Sequence, residues 1–390
     1  MELRALDPSE IGAFDRAIVG AFHNDLADED AALYAKLHAP ERTLVWVDGG
    51  RIVGGSASFR RELTVPGGTV PAAAVTGVGV QPTHRRRGLL TALMRRQLDE
   101  LHERFGDPVA ILWASEAAIY PRFGYGLATW AARLRVRTET ARLRADLDVS
   151  AGPDEVRAPS DVIDALRERH ERVRVERAGM LDRPAAWWDA TLHDPERRRA
   201  GASALRAVLV EDGYALYAVR SSDAHRETVV RELVAATAPG AVALWAFLLG
   251  LDLVSGLVCE RAASDEPLPH ALAHADAAEL TLMPGLWLRL VDVGAALAAR
   301  RLDPAADVVV GVSDAYCPWN EARFTLDGSR TAAAPDLVLD AEALAAAYLG
   351  GTAVTALAAA GRVEERMPGA AAAMTRALAA PRAPWCPDHF

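Results

Sequence analysis

Cysteine is almost missing from this chain: only Cys259, Cys317 and Cys386 occur among 390 residues. An odd number with no CxxC spacing argues against a disulfide framework or a cysteine-rich zinc site, and for a reducing compartment. Positive charge is in deficit too. With 43 Lys and Arg against 53 Asp and Glu, the formal net charge is −10, the wrong sign for a general nucleic-acid binder. No uncharged apolar run reaches the ~20 residues of a membrane span. The longest attempt, AVALWAFLLGLDLVSGLV, contains Asp252 and two glycines and reads as a buried helix followed by a strand. The opening MELRALDPSE has no basic segment leading into an apolar one, so no signal peptide is expected. A cytoplasmic protein with neither nucleic acid nor membrane as partner is the expectation.

What is present is the composition of a packed globular protein, 51% hydrophobic and 25% charged, too long for one ordinary core. Residues 1–150 alternate strand and helix signals. RTLVWVDGGRIVGG reads as two strands about a Gly-Gly turn, VTGVGV as a further strand, and PVAILWAS as another beyond an intervening helix. This predicts an α/β fold with mixed sheets. The polar, Pro-containing SAGPDEVRAPSD marks a linker. Residues 151–284 repeat the strand, loop and buried-helix order in TVVRELVAATAPGAVALWAFLLGL, without its arginines, as a degenerate copy of the first segment. Residues 285–390 combine short strands with Ala-rich helices and end in APRAPWCPDHF.

One stretch carries chemistry: VTGVGVQPTHRRRGLLTALM. Val78 and Val80 supply a strand, and Gly79 thins it where a ligand or another backbone comes close. Leu89 and Leu90 begin an amphipathic helix. Arg85, Arg86, Arg87 and Gly88 therefore sit at a helix N-terminus, where free N–H groups and the helix dipole already favour an anion. Three cations there oppose the dipole unless something negative compensates. A diphosphate matches the guanidinium forks; a solvated basic turn is the alternative.

PTHRRRGLL, with ASEAAIYPRFGYGLAT downstream, resembles the enhanced intracellular survival (Eis) family of GNAT N-acetyltransferases from actinobacteria, whose R/Q-x-x-G-x-G/A loop holds acetyl-CoA. Leu90 departs from the small residue at the last position. The resemblance implies tandem GNAT domains, the second without a functional cofactor loop, plus a sterol-carrier-protein-like third domain. It implies a homo-hexamer, no metal, and direct acetyl transfer from acetyl-CoA to amines of multi-amine cations such as aminoglycosides, polyamines or lysine side chains. A catalytically weak CoA-binding or regulatory protein is the alternative.

In SEAAIYPRFGYG, Tyr120 and Tyr125 compete as general acid, and the resemblance points to Tyr120, with Ser115 touching the cofactor. It makes the terminal carboxylate of Phe390 the base, and places Phe22, Asn24, Tyr34, Trp188, Asp388 and His389 about the acceptor amine. Asn24 falls where the family can carry a carboxylate, and His389 replaces an acidic residue; both lower the local negative charge.

Overall fold

Apolar strands cut by glycine, joined by helices with one apolar face, build three sheets of seven, seven and four strands in the computed structural model, which describes residues 1–149, 152–153, 156–221, 225–302 and 307–390. In the first sheet, strands Glu2–Ala5, Thr43–Asp48, Arg51–Val65 and Gly68–Val80 form an antiparallel run. Strand Val109–Trp113 adds on parallel to Gly68–Val80. Helix Leu89–Glu100 makes that crossover, burying Leu89, Leu93, Met94 and Leu98.

The second sheet repeats the device. Strands Arg226–Ala235 and Gly256–Ala263 pair parallel, with helix Ala238–Leu249 between them. Here the helix N-terminus is closed by the protein itself, since the Thr237 hydroxyl accepts from the Gly240 N–H.

The sheets do not follow the contiguous segments 1–150, 151–284 and 285–390. Strand Trp130–Arg137 leaves the first sheet and pairs with Gly256–Ala263 and Ala278–Pro284 in the second. Strand Leu286–Leu290 returns to lie between Val109–Trp113 and Gly126–Leu127 in the first. The two chains pass each other at Thr129, whose hydroxyl accepts from the Leu286 N–H at 2.8 Å. Local pattern does not report such an exchange, because every strand involved is apolar. The division at 150/151 lies outside the described residues.

The first sheet is covered on both faces. One face shares a core with the C-terminal segment, where Leu63, Ile111 and Leu288 meet Val310, Leu344 and Tyr348. The other face packs Ala73, Ala110 and Trp287 against Met94 and Leu98. This explains why Leu286–Leu290 is buried at every position: a strand covered on both sides needs no polar alternation. Arg289 is tolerated there because Asp314 accepts two hydrogen bonds from its Nη2, at 2.8 and 2.6 Å.

Candidate active site

The parallel pairing that closes the first sheet is short. Ala72–Ala74 pair with Val109–Ile111, and the ladder stops there. Beyond it, Val75, Thr76, Gly79 and Val80 keep their partners in Arg51–Val65, but among the described residues the segment has no strand on its other side. Two features turn the strand away: a register shift opposite Gly55–Ala57, and Gly77 at φ 60°. A side chain rarely adopts that conformation, so glycine is favoured there. The result is a V-shaped opening lined by strand backbone.

The loop that follows folds over this opening. Arg86 at φ 61° and Gly88 at φ 78° are both left-handed, and Gly88 caps helix Leu89–Glu100 without any side-chain hydrogen bond. The first helical N–H groups are thus left for a ligand. A non-glycine residue held left-handed costs about 1–2 kcal/mol, so the loop carries strain at a cationic residue. A cavity of about 500 Å³ lies beneath, walled by Val78, Gly79, Val80, Arg85, Arg86, Gly88, Leu89, Leu90, Ser115 and Tyr120. Arg85 also braces the loop, donating to Val80 O and Ala21 O.

Arg87 does not belong to this wall. It turns back to donate to Thr83 O, so two of the three loop arginines face the cavity. A cation not expected from the loop joins them, Arg122. It follows Tyr120 by two residues, in the same short turn.

Of the two tyrosines, Tyr120 lines the cavity and Tyr125 packs edge-on behind it, with ring centroids 5.8 Å apart. Burial, reinforced by Glu116, pushes the Tyr120 phenol up to about 12. It is therefore protonated at neutral pH. Tyr125 is fully buried, its hydroxyl has no partner among the described residues, and burial pushes its pKa higher still.

A second cavity, of about 470 Å³, shares Phe22 with the first and continues along Thr76–Gly77. Phe22, Asn24, Tyr34, His389 and Phe390 all line it. Helices Ile11–Ala21 and Asp28–Leu37 form its roof, contributing Phe14, Asp15, Ile18 and Leu33. His389 lies 5.8 Å from the Trp113 ring, and burial, then Arg261, lowers its pKa.

Two expected residues are elsewhere. Trp188 is 2% exposed and packs with Leu166, Tyr214 and Val234 inside the second core. Successive helix positions point about 100° apart, so Trp187 is the one that reaches the cavity, edge-on to Phe390 at 6.5 Å. Asp388 is not a cavity residue either. It is buried, accepts from Arg183 Nε at 2.8 Å, and lies 3.7 Å from Arg61.

Asp388 belongs instead to the anchorage of the tail. Arg183 also forks onto Glu232 at 2.9 and 2.7 Å, and the Tyr214 hydroxyl donates to the same carboxylate. Further back, Trp385 donates its main-chain N–H to Ala178 O and its indole N–H to Arg261 O. Trp385 fills the second sheet where its own parallel pair diverges, since the ladder there covers only Glu227–Val230. Only about 30 Å³ remains open between Leu233–Ala235, Cys259 and Trp385. The cleft that stays open in the first sheet is plugged in the second by the tail that delivers Phe390.

Comparison with known proteins agrees with this geometry. Residues 2–128 and residues 179–290 each match an acetyltransferase (GNAT) domain family, and residues 293–387 match the sterol carrier protein domain. An uncharacterized N-acetyltransferase of Streptomyces avermitilis is 42% identical over 93% of both chains. The N-acetyltransferase Eis of Mycobacterium tuberculosis is 37% identical over 89% of both. The crystal structure of Eis1 from Mycobacterium abscessus superposes with a TM-score of 0.88 over the full length of both chains, at 35% identity.

Proposed function

The chain belongs to the Eis-type N-acetyltransferases of the GNAT superfamily, and from that premise we propose that it acetylates the amino groups of small multi-amine cations. One observation carries the reading: the unpaired edge Val75–Val80 opens beside a left-handed arginine loop at a helix N-terminus, and the cavity there adjoins a second one at Phe22. The residues present fit acetyl-CoA, with anion-binding groups at one end and apolar walls at the other. When bound, acetyl-CoA supplies an acetyl group activated as a thioester.

Arg85, Arg86, Arg122 and the N-terminus of helix Leu89–Glu100 would hold the diphosphate. The main-chain N–H groups of the Val78–Val80 edge would polarise the thioester carbonyl, a donor of that kind contributing about 3 kcal/mol. Tyr120 Oη holds a proton at neutral pH and gives it to the departing sulfur. On the acceptor side, the carboxylate of Phe390 is the base implied by the resemblance. A free α-carboxylate of pKa ~3.5 is badly matched to an alkylammonium near ~10. Phe390 therefore serves best by orienting an amine that has already lost its proton, or by relaying that proton through water. Assembly into hexamers, also implied by the resemblance, is tested by sedimentation.

The testing experiment is thiol release from acetyl-CoA with aminoglycosides, polyamines and lysine-rich peptides, paired with calorimetry of CoA binding. Turnover with at least one class is expected. Tight CoA binding with no turnover on any amine would overturn the reading.

A further inference from the structure

We propose that Asp15, oriented by His38, is the anionic subsite of the second cavity, and that the acceptor is an amine carrying another protonated nitrogen across an apolar spacer. The inference rests on the acetyltransferase reading and sharpens it. Asp15 lies in the second turn of helix Ile11–Ala21, and its side chain is 6% exposed. His38, just past the end of helix Asp28–Leu37, brings Nε2 to within 2.6 Å of Asp15 Oδ1. The imidazole is itself boxed in, edge-on to Phe14 at 5.5 Å and tilted against Phe59 at 6.2 Å. Its Nδ1 is buried without a partner among the described residues.

A carboxylate offers about four lone-pair positions, yet among the described residues Asp15 accepts this single hydrogen bond. Burying a charge in apolar surroundings costs several kcal/mol unless it is paired. His38 occupies one of its oxygens, and both residues line the cavity, so a cation entering there meets a carboxylate with acceptor capacity to spare.

The other charges nearby do not answer that need. Arg198, the cavity's guanidinium, donates to Asp30 Oδ2 and to the Tyr34 hydroxyl. Asp30 is itself shared with His193 and Arg197. Most of the remaining wall is apolar, with Ile18, Phe22, Leu33, Leu37 and Trp187 beside the polar Asn24, Tyr34 and Thr76, which favours a spacer of methylene groups. The ligand that satisfies all three features is a diamine with an apolar spacer. One ammonium pairs with Asp15, and the other nitrogen, deprotonated, is acetylated.

The test is calorimetry of linear α,ω-diamines and of monoamines of equal length on the full chain, its Asp15→Asn variant and its Asp15→Glu variant, with acetyl transfer followed in parallel. The native chain should prefer the diamine by about tenfold or more. Asp15→Asn should bring that ratio to near one, and Asp15→Glu should keep it while moving the optimum to a shorter diamine. CoA affinity and melting temperature certify that both variants are folded. A native chain without the preference, or an Asp15→Asn variant that retains it, would overturn the subsite. Diamines that bind through Asp15 but are never acetylated would overturn the acetyltransferase reading and leave the subsite. Acetylation indifferent to Asp15 would do the reverse.

Discussion

Tyr120 and Tyr125 differ by five positions and carry the same phenol, and only their surroundings assign them roles. Tyr120 lines the cavity with its pKa pushed up to about 12 by burial and Glu116, while Tyr125 is sealed behind it. Tyr120→Phe should lower kcat about a hundredfold, the usual scale for losing a general acid, with CoA affinity by calorimetry unchanged. Arg85→Ala combined with Arg86→Ala should raise the half-saturating acetyl-CoA concentration about tenfold or more; Arg87→Ala, which removes only a bond to Thr83 O, should leave it within about twofold.

His170 gives a pH dependence at the same scale. Burial, then the Arg183 guanidinium, lowers its pKa to about 4, against a normal 6.5. The native state therefore holds it neutral, and its contribution is complete above pH 6.5 and lost as pH falls toward 4. Melting temperature should drop across that window, by the equivalent of about 3 kcal/mol, and His170→Asn should flatten the drop. Sequence pattern marked Tyr120 but gave no sign of Asp15 or His38, because an Asp within a helix or a His at a helix end looks like any partly exposed polar residue.

Among the elements, the strand–loop–helix from Gly68 to Glu100 was legible in advance, since glycines, arginines and helical apolar spacing are all local signals. The divergence of its parallel partner was not, being a property of two strands far apart in sequence. Helix Ala185–Leu192 shows the opposite difficulty: Trp187 and Trp188 are equally good pocket residues on paper, and the helix's rotation decides between them. The turn at Gly179 links the second segment to the tail. Gly179 has φ 93°, and a Cβ there would stand 2.9 Å from the Trp385 main-chain nitrogen. Gly179→Ala should thus displace the tail, costing about 2 kcal/mol or more in chemical denaturation and lowering kcat more than it weakens CoA binding.

At the scale of the whole molecule, the proposed catalytic site draws on distant parts. The first sheet supplies the cleft at Val75–Val80, and helices Ile11–Ala21 and Asp28–Leu37 roof the second cavity. Arg177 and Arg183, between helices Ile163–Arg174 and Ala185–Leu192, hold the tail together with the plug of Trp385 in the second sheet, and the tail brings residue 390 back to the first. Adding even a few residues after Phe390 should therefore cut acetyl transfer about a hundredfold or more while CoA affinity and melting temperature hold. Full activity in such a protein, measured by thiol release, would remove the terminal carboxylate from the mechanism.

The amino-acid sequence by itself determined the mixed α/β class, the arginine loop at a helix start, the tyrosine that lines the same cavity and the family. Each of these is written within some thirty neighbouring residues, where periodicity, capping and turn chemistry operate. Only the tertiary structure decided that strands Trp130–Arg137 and Leu286–Leu290 change sheets, that Asp388 is an anchor, and that Asp15 and His38 meet in the second cavity. Those outcomes depend on which apolar surfaces bury one another across hundreds of residues, and apolar burial is non-directional, so no local pattern records them.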